Sequence, residues 1–390
     1  MAENTNIQLE LRKFVAPEFI FGLDARMLAG RYVKKLGAKK VLVVTDAGIH
    51  TAGWANDVLE TLDDEKLSYQ IFSEVSPNPR SAEVMKGAEV YKNSNCDAIV
   101  AIGGGSVMDC AKGIGIVSSN DKNILQYEGV DKVDIPIPPL VCIPTTAGTS
   151  ADVSQFAIIN NEHDKVKIAI ISKAVVPDVA LIDPAVLVTM DSYLTACTGM
   201  DALVHAIEAF VSTASSPFTD LNALEAIRLI NENLVSSINL PNDYELRGKV
   251  MLGSLYAGLA FSNASLGCVH AMAHSLGGFL DLPHGECNAI LLPHVMSYNF
   301  ESATAKFAKI GEVLGLEMKG LLMNEKRKML IEHIMQLKTK TGILKTLRER
   351  GVGSSDIPLL ASKAIKDPCQ ITNPRTPSKE DIEVIYSEAM

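Results

Sequence analysis

Residues 98–115 read AIVAIGGGSVMDCAKGIG, and this stretch sets the architecture of the first half of the chain. The apolar run at its start predicts a strand over residues 97–102, and the lack of polar alternation indicates that both faces of the strand are buried. Three glycines and then a helical pattern follow. Similar apolar runs predict further strands over residues 40–45, 69–72 and 140–143, and the segments between them predict helices over residues 22–36, 52–63 and 82–93. Buried strands that alternate with helices predict a parallel sheet covered on both faces.

The pattern of the sequence changes after Asp183 and Pro184. Before this point, residues 167–171 and 179–182 add strand-like segments around a hairpin predicted at residues 160–164. Long helical periodicities then continue to the C-terminus. A chain of 390 residues exceeds the roughly 250–300 residues at which a single core stops growing. We therefore predict an α/β domain with a Rossmann-like parallel sheet over residues 1–185 and an all-helical domain over residues 186–390.

Composition excludes several classes of protein. Apolar residues make up 47% of the chain and charged residues 21%, which is typical of a soluble globular protein. The net charge of −10 argues against a nucleic acid or an anionic membrane as partner. The start of the chain is polar, so the sequence predicts no secretory signal peptide. No uninterrupted apolar run reaches ~18 residues, so the sequence predicts no membrane span. The seven scattered cysteines contain no CxxC pair, which indicates reduced thiols and a cytoplasmic protein.

The three glycines predict an anion site. Gly103, Gly104 and Gly105 let the backbone approach a ligand closely, and the helix behind them directs free N–H groups toward an anion. Ser106 and Asp109 also fit a Ser-x-x-Asp capping box, which is a purely structural alternative for these two residues. The spacing is neither GxGxxG nor that of a P-loop, so the stretch alone indicates a diphosphate without identifying the ligand.

A second turn follows the next predicted strand and reads PTTAGTS. The hydroxyls of Thr145, Thr146 and Thr149 are expected at the same carboxyl edge of the sheet, where ligands of open α/β sheets bind. Asp46, at the end of the first predicted strand, can accept a bond from a ribose 2′-hydroxyl, and its charge would repel a 2′-phosphate. A helix cap explains Asp46 equally well.

Histidines cluster at residues 267–285, GCVHAMAHSLGGFLDLPHG, which contain three of the eight in the chain. His270 and His274 are four residues apart, so on a helix they share one face. His284 follows a Gly-Gly break and is expected in a Leu-Pro-His-Gly turn, from which its side chain can reach that face. Three histidines in so short a segment indicate a common site.

Asp201 and His205 form a second pair with helical spacing. Imidazoles and a carboxylate from two helices and a turn suit a divalent metal, whereas hydrogen-bonded core histidines are the alternative. A metalloprotease is excluded because HExxH is absent, and a zinc finger because paired cysteines are absent. A metal beside a dinucleotide predicts hydride transfer between an alcohol and nicotinamide, in which the metal lowers the pKa of the alcohol oxygen.

Seven segments resemble the iron-containing alcohol dehydrogenases, a family also called group III: VTDAG, PNP, GGGSVMDCAK, PTTAGTSADV, TGMDALVHAIEA, FSNASLGCVHAMAHSLGG and LPHGECNAILLPHVM. The resemblance extends from about residue 14 to the C-terminal NPRTPSKEDIEVIY, and it is strongest to members that act on small primary alcohols and diols. It implies a dehydroquinate synthase-like α/β domain followed by an all-α domain. It also implies an NAD-dependent alcohol dehydrogenase that takes a small alcohol or aldehyde as substrate and forms a homo-oligomer.

The resemblance further implies a role for each matching residue. The four metal ligands, usually of Fe²⁺, match Asp201, His205, His270 and His284. A histidine near the nicotinamide that does not bind the metal, and that can relay a proton, matches His274. The NAD contacts match Asp46, Asn78, Gly104, Gly105, Ser106, Thr145, Thr146, Thr149 and Lys167. The substrate pocket matches Phe156, Phe261, Leu266 and Cys369.

Three alternatives stay open at this point. A site of one carboxylate and three imidazoles also accepts Zn²⁺ or another divalent metal. A lyase or synthase of the dehydroquinate synthase type would use NAD and a metal, but it would need Lys and Arg around the metal, where this sequence has Ala, Leu, Gly and Phe. A non-catalytic metal- or nucleotide-binding protein would not need a complete ligand set beside NAD signals. Some relatives have a small or polar residue at the position of Phe156, whose ring is expected to narrow the pocket.

Overall fold

The computed structural model describes residues 11–390, and its first half is built on the predicted parallel sheet. The nine strands are β1 (Glu18–Phe21), β2 (Lys40–Val44), β3 (Ser68–Phe72), β4 (Ala98–Gly103), β5 (Gly129–Val130), β6 (Leu140–Pro144), β7 (Phe156–Asn161), β8 (Val166–Ile171) and β9 (Val179–Ile182). Six of them form one all-parallel sheet in the order β1-β9-β6-β4-β2-β3. The strands predicted from apolar runs are therefore confirmed, with boundaries that differ by at most one residue at either end.

Fourteen α-helices accompany the strands in residues 11–390. They are α1 (Ala29–Lys35), α2 (Ala47–Ala52), α3 (Trp54–Asp64), α4 (Ser81–Asn93), α5 (Gly105–Asn120), α6 (Ser192–Val211), α7 (Pro217–Asn239), α8 (Tyr244–Ala264), α9 (Cys268–Leu280), α10 (His284–Asn299), α11 (Thr304–Val313), α12 (Met323–Lys340), α13 (Ile357–Ala364) and α14 (Lys379–Glu388). The first five lie in the sheet-containing half, and the other nine form the helical half.

The sheet is covered on both faces, as its apolar strands predict. Side chains of a strand alternate between the two faces, so Leu42 and Val44 of β2 pack into one core while Val41 and Val43 pack into another. All six residues of the central strand β4 are buried. β1 is a strand that the sequence pattern did not predict. It has only four residues, mostly exposed, at the edge of the sheet.

A small second sheet carries the order β5-β8-β7, and β7 and β8 pair antiparallel. The hairpin predicted at residues 160–164 joins these two strands, so that prediction is confirmed. β9 then completes the large sheet, and the chain continues into α6 without further strands in the described residues. The division of the chain at residue 185 into two folding units stays a prediction.

α6 lies at the centre of the helical half. It has the length and hydropathy of a membrane-spanning helix, but 89% of its most apolar window is buried inside the fold. Buried core helices share this composition with membrane spans, and α6 packs against α7, α8 and α10. We therefore describe α6 as the core helix on which the helical half is assembled.

Candidate functional site

Three helices bring the predicted metal ligands together. α6 carries Asp201 and His205, α9 carries His270, and α10 carries His284. The turn predicted for His284 is wrong, because this residue is the first of α10. Gly285 explains how the start of α10 approaches α6 so closely. A Cβ at this position would lie 2.2 Å from the carbonyl oxygen of Cys197, so a side chain there would push His284 away from Asp201.

The ligand atoms of three residues converge. The Nε2 atoms of His270 and His284 lie 3.8 Å and 3.9 Å from Oδ1 of Asp201, and the three atoms all lie within 4.8 Å of one another. His205 lies beside them, with Nδ1 4.0 Å from Oδ2 of Asp201 and its ring centroid 4.4 Å from that of His270. Nδ1 of His205 is buried and has no hydrogen-bond partner within residues 11–390. This set of one carboxylate and three imidazoles fits a divalent transition metal.

The amide of Asn288 is held at the centre of these atoms. Its Nδ2 donates to Oδ1 of Asp201 at 2.6 Å and lies 3.1 Å from Nε2 of His270 and 3.3 Å from Nε2 of His284. One carboxylate oxygen and two imidazole nitrogens from three helices therefore lie around a single donor group. These are types of atom that bind a divalent transition metal.

Burial and neighbouring charges shift the pKa values of the predicted metal ligands in different directions. Burial by itself disfavours a charged Asp201, yet His205, His284 and His270 hold the pKa of Asp201 well below its usual range. Burial lowers the pKa of His205 to about 3 and that of His284 well below its ordinary value. Burial also opposes charge on His270, but the nearby carboxylates of Asp201 and Glu208 raise the pKa of His270 to about 9. The site thus holds an ionised Asp201 and neutral His205 and His284, whereas His270 would have to release a proton to bind a metal.

His274 shares the helix face of His270 but has different neighbours. Its Nδ1 lies 2.8 Å from Oδ2 of Asp367, and its ring stacks on His284 at a centroid distance of 5.3 Å. Burial opposes charge on Asp367, but the adjacent His274 lowers the pKa of Asp367 below its usual value. His274 is therefore held beside the metal candidates by a separate carboxylate, as its predicted proton-relay role would require.

A cavity of about 110 Å³ joins the two halves of the site. The predicted metal ligands and His274 line it. Residues predicted to contact NAD also line it, and these are Asn78, Gly105, Ser106, Thr149 and Lys167. Three of the residues predicted for the substrate pocket complete this part of the lining, and these are Phe156, Phe261 and Leu266. The cavity thus connects the two sets of residues that the sequence analysis assigned to different ligands.

Five predicted residues do not line this cavity. Gly104 and Thr146 lie close together beyond its edge, since a Cβ on the glycine would meet Cγ2 of the threonine at 3.2 Å. Thr145 follows β6 and donates its backbone N–H to the carbonyl oxygen of Gly103. Cys369 is buried, and its Sγ lies within 4.8 Å of a ring nitrogen of His274 and a carboxylate oxygen of Asp367. The roles assigned to these residues stay predictions.

Asp46 is also outside the cavity, at the end of β2. Its Oδ1 accepts the backbone N–H of Ile49 at 2.9 Å, and it is the N-cap of α2. The helix-cap interpretation of Asp46 is therefore correct. A cap uses one carboxylate oxygen, so the second oxygen is still available to a ribose hydroxyl.

The capping box proposed for Ser106 and Asp109 is wrong. α5 begins at Gly105 with Gly104 as its N-cap, so Ser106 lies inside the first turn. Its hydroxyl instead accepts the backbone N–H of Asn78 at 3.2 Å. Asp109 lines the cavity, and burial raises the pKa of Asp109 to about 7.

Asn78 links the two halves across the cavity. Lys167 donates to its Oδ1 at 2.6 Å, and its Nδ2 donates to Oδ1 of Asp281 at 2.6 Å. Asp281 ends α9, the helix that carries His270. Burial lowers the pKa of Lys167. A residue predicted to contact NAD is therefore connected to a helix that carries a metal candidate.

Sequence reasoning missed three polar residues of the site: Glu208, Asn288 and Asp367. Glu208 follows Asp201 by seven residues in an otherwise apolar helix, and Asn288 follows His284 by four. Both spacings put the missed residue on the helix face of a predicted ligand, which was a usable signal. Asp367 carries no such signal, because 93 positions of sequence separate it from His274.

Comparison with known proteins gives two matching family models. The model described as "Iron-containing alcohol dehydrogenase" matches residues 16–184. The model described as "Fe-containing alcohol dehydrogenase family, C-terminal" matches residues 195–390. The two matches together span nearly the whole chain, and they confirm the resemblance inferred from the seven segments.

Individual relatives are similar over almost their full length. The 1,3-propanediol dehydrogenase of Klebsiella pneumoniae is 41% identical over 371 residues, covering 95% of this chain and 96% of the relative. The NAD-dependent methanol dehydrogenase of Bacillus methanolicus is 39% identical, with 97% and 99% covered. A crystal structure of 1,3-propanediol oxidoreductase has a TM-score of 0.94 at 40% identity and covers 98% of this chain and 100% of that one. The predicted fold class is therefore confirmed.

Proposed function

The chain belongs to the iron-containing alcohol dehydrogenase family, and from this premise we propose that it interconverts a small primary alcohol or diol and its aldehyde, using NAD and Fe²⁺. The relatives are alcohol and diol dehydrogenases, so the chain is an oxidoreductase of this type. The convergence of Asp201, His270 and His284 in the lining of a cavity that Gly105 also lines is the observation that carries the finer proposal.

The proposal assigns a part to several of the residues that line the cavity. A divalent metal would supply Lewis-acid polarisation of the alcohol or carbonyl oxygen. The metal would be held by Asp201, His205, His270 and His284. The ring of His205 stacks on that of Phe261 at a centroid distance of 4.3 Å. His274, bonded through Nδ1 to Asp367, has Nε2 left to take up or deliver a proton. Phe261 and Phe156 pack edge to face at 5.6 Å and would limit the access of water to the metal.

Residues of the site and one relative also support NAD as the cofactor and an unphosphorylated alcohol as the substrate. The Bacillus methanolicus relative is an NAD-dependent enzyme, and the carboxylate of Asp46 would disfavour the extra phosphate of NADP. Lys167 is the one lysine that lines the cavity in the described part of the chain, and no arginine described there lines it. A phosphorylated acidic substrate would need more, so a dehydroquinate synthase-like reaction is not supported. We also propose a cytoplasmic homo-oligomer that binds neither nucleic acid nor membrane.

The proposal is tested by adding Fe²⁺ or Zn²⁺ anaerobically to metal-stripped protein and measuring metal content and NADH formation with C2–C6 alcohols. One bound metal per chain and NADH formation that depends on it are expected. The reverse reaction with the matching aldehydes should consume NADH. Absence of net NADH change with either metal and all substrates would reject the dehydrogenase activity.

Asp46→Gly is expected to narrow the preference for NAD over NADP about tenfold, which corresponds to ~1.4 kcal/mol. The substitution removes the charge that would repel a 2′-phosphate. Glycine is tolerated at an N-cap position at a cost of only a few tenths of a kcal/mol, so α2 should stay folded. The measurement is the ratio of kcat/KM for the two cofactors.

Asp243→Gly is the matched control for this substitution, because Asp243 caps α8 through the N–H groups of Glu245 and Leu246 and does not line the cavity. It should leave the cofactor ratio unchanged. Equal use of NAD and NADP by the unsubstituted protein would remove the role given to Asp46.

Phe156→Val is expected to favour longer or branched alcohols over ethanol by about tenfold in kcat/KM, since one methylene in a pocket is worth roughly 10–200-fold. Phe156 is buried, lines the cavity and meets the ring of Phe261. Valine keeps a residue suited to a β-strand.

Phe300→Val is the control, because it removes another buried ring, which packs on Phe307 and does not line the cavity. This control should lower stability without changing substrate preference. An unchanged preference in Phe156→Val would show that the ring does not limit the pocket.

A further inference from the structure

The carboxylate of Glu208 connects the two helices that carry most of the metal candidates. Glu208 lies on α6, on the same face as Asp201 and His205, and it is almost fully buried. Its Oε2 lies 2.6 Å from Nδ1 of His270. The same carboxylate therefore belongs to one ligand helix and touches a ligand of the other.

Glu208 also binds the backbone at the start of α9. Its Oε2 accepts the N–H of Gly267 at 3.1 Å, and its Oε1 accepts the N–H of Val269 at 2.7 Å. Gly267 is the N-cap of α9 and offers no side chain to satisfy these groups. The positive end of a helix dipole favours a negative charge at this point. Glu208 thus caps α9 from α6.

Glu208 makes its hydrogen bonds to one short segment at the start of α9. Within residues 11–390, His270 is its one ion-pair partner, and its other two contacts are backbone N–H groups. Burying a carboxylate is costly unless it is hydrogen-bonded and paired. Three donors from one turn of α9 meet this requirement, so any rotation of α9 against α6 would break them.

We propose that Glu208 is a positioning residue that fixes His270 for metal binding, an inference that rests on the proposed function. A carboxylate that accepts the Nδ1–H of an imidazole leaves the lone pair on Nε2. Nε2 of His270 is the atom that lies 3.8 Å from Asp201. α6 therefore supplies metal ligands of its own and also sets the tautomer and direction of the ligand on α9.

A second carboxylate–imidazole pair on α9 provides a matched control. Asp367 holds His274 at 2.8 Å, one helical turn beyond His270. His274 is not among the three residues whose ligand atoms converge. Removing the charge of Asp367 should therefore affect proton transfer, whereas removing the charge of Glu208 should affect metal affinity.

The test is a calorimetric titration of metal-stripped, full-length protein with Co²⁺. Glu208→Gln keeps the size of the side chain. Its NH₂ group must lie against at least one of the three N–H groups that the carboxylate binds, so at least one hydrogen bond is lost. We expect its Kd for Co²⁺ to be about 10–100-fold higher than that of the unsubstituted protein. The visible absorption of bound Co²⁺ should also change at saturation, because His270 is no longer held. Asp367→Asn should keep both the Kd and the spectrum.

The outcomes separate positioning from simple stabilisation of the fold. A Glu208→Gln protein with a lower thermal midpoint in the metal-free state but an unchanged Kd and spectrum would overturn the inference. Should this variant not fold, NMR of the unsubstituted, Zn²⁺-bound protein labelled with ¹⁵N-histidine decides. It must show an exchange-protected Nδ1–H on His270, and its absence overturns the inference. Failure of the unsubstituted protein to bind Co²⁺ would instead reject the proposed function, and the inference with it.

Discussion

His270→Ala and His284→Ala are each expected to lose the bound metal and turnover together. Each substitution removes one of the two imidazole nitrogens that lie within 4 Å of Oδ1 of Asp201. A transition metal left with fewer protein ligands in a buried site binds weakly. Loss of metal catalysis amounts to several kcal/mol, so kcat/KM should fall by roughly 10³-fold or more.

The measurement pairs elemental analysis of metal per chain with the rate of NADH formation. His163→Ala is the control, because the side chain of His163 is 93% exposed and lies in the turn between β7 and β8. It should keep full metal content and full activity. A His270→Ala protein that retains both would show that the metal, if bound, is held elsewhere.

His274→Ala is expected to keep the metal and lose about 10²–10⁴-fold in kcat, the range typical of a general acid or base. His274 is bonded to Asp367 and faces the cavity without joining the convergent ligand atoms. Alanine removes the proton carrier and leaves the ligands on all three helices in place. Elemental analysis should therefore give the same metal content as for the unsubstituted protein.

The contrast between two neighbouring positions on α9 is the decisive part of this experiment. Turnover should be low in both His270→Ala and His274→Ala, but only the first should lack metal. If His274→Ala also loses its metal, the histidine is a ligand and the division of roles on α9 is wrong. If it keeps both metal and full kcat, another group carries the proton.

The architecture was predictable where burial alone determines it. β2, β4 and β6 are short, mostly apolar segments rich in β-branched residues, which favour a buried strand, and the helices between them favour a parallel sheet. β1 was not predictable in this way, because a short, exposed edge strand has the composition of a loop. The helical half was predicted from periodicity, which identifies helices but not how they pack.

The candidate site was predictable only in part for the same reason. Helical spacing placed Asp201 with His205 and His270 with His274, since these contacts depend on local geometry. The start of α10 at His284 depends on the approach of Gly285 to α6, which is a tertiary contact. The division between ligands and proton carrier came from the family resemblance, and its physical basis, the Asp367 contact, lies far along the chain.

The shared donor of Asn288 means that the three ligand helices are already tied together by the protein itself. The amide of Asn288, on α10, bonds Asp201 of α6 and lies against His270 of α9. A metal bound as proposed would therefore enter a site whose three helices folding has already joined. Supply in the cell would then decide between Fe²⁺ and Zn²⁺, since intrinsic affinity for such donors favours Zn²⁺ over Fe²⁺.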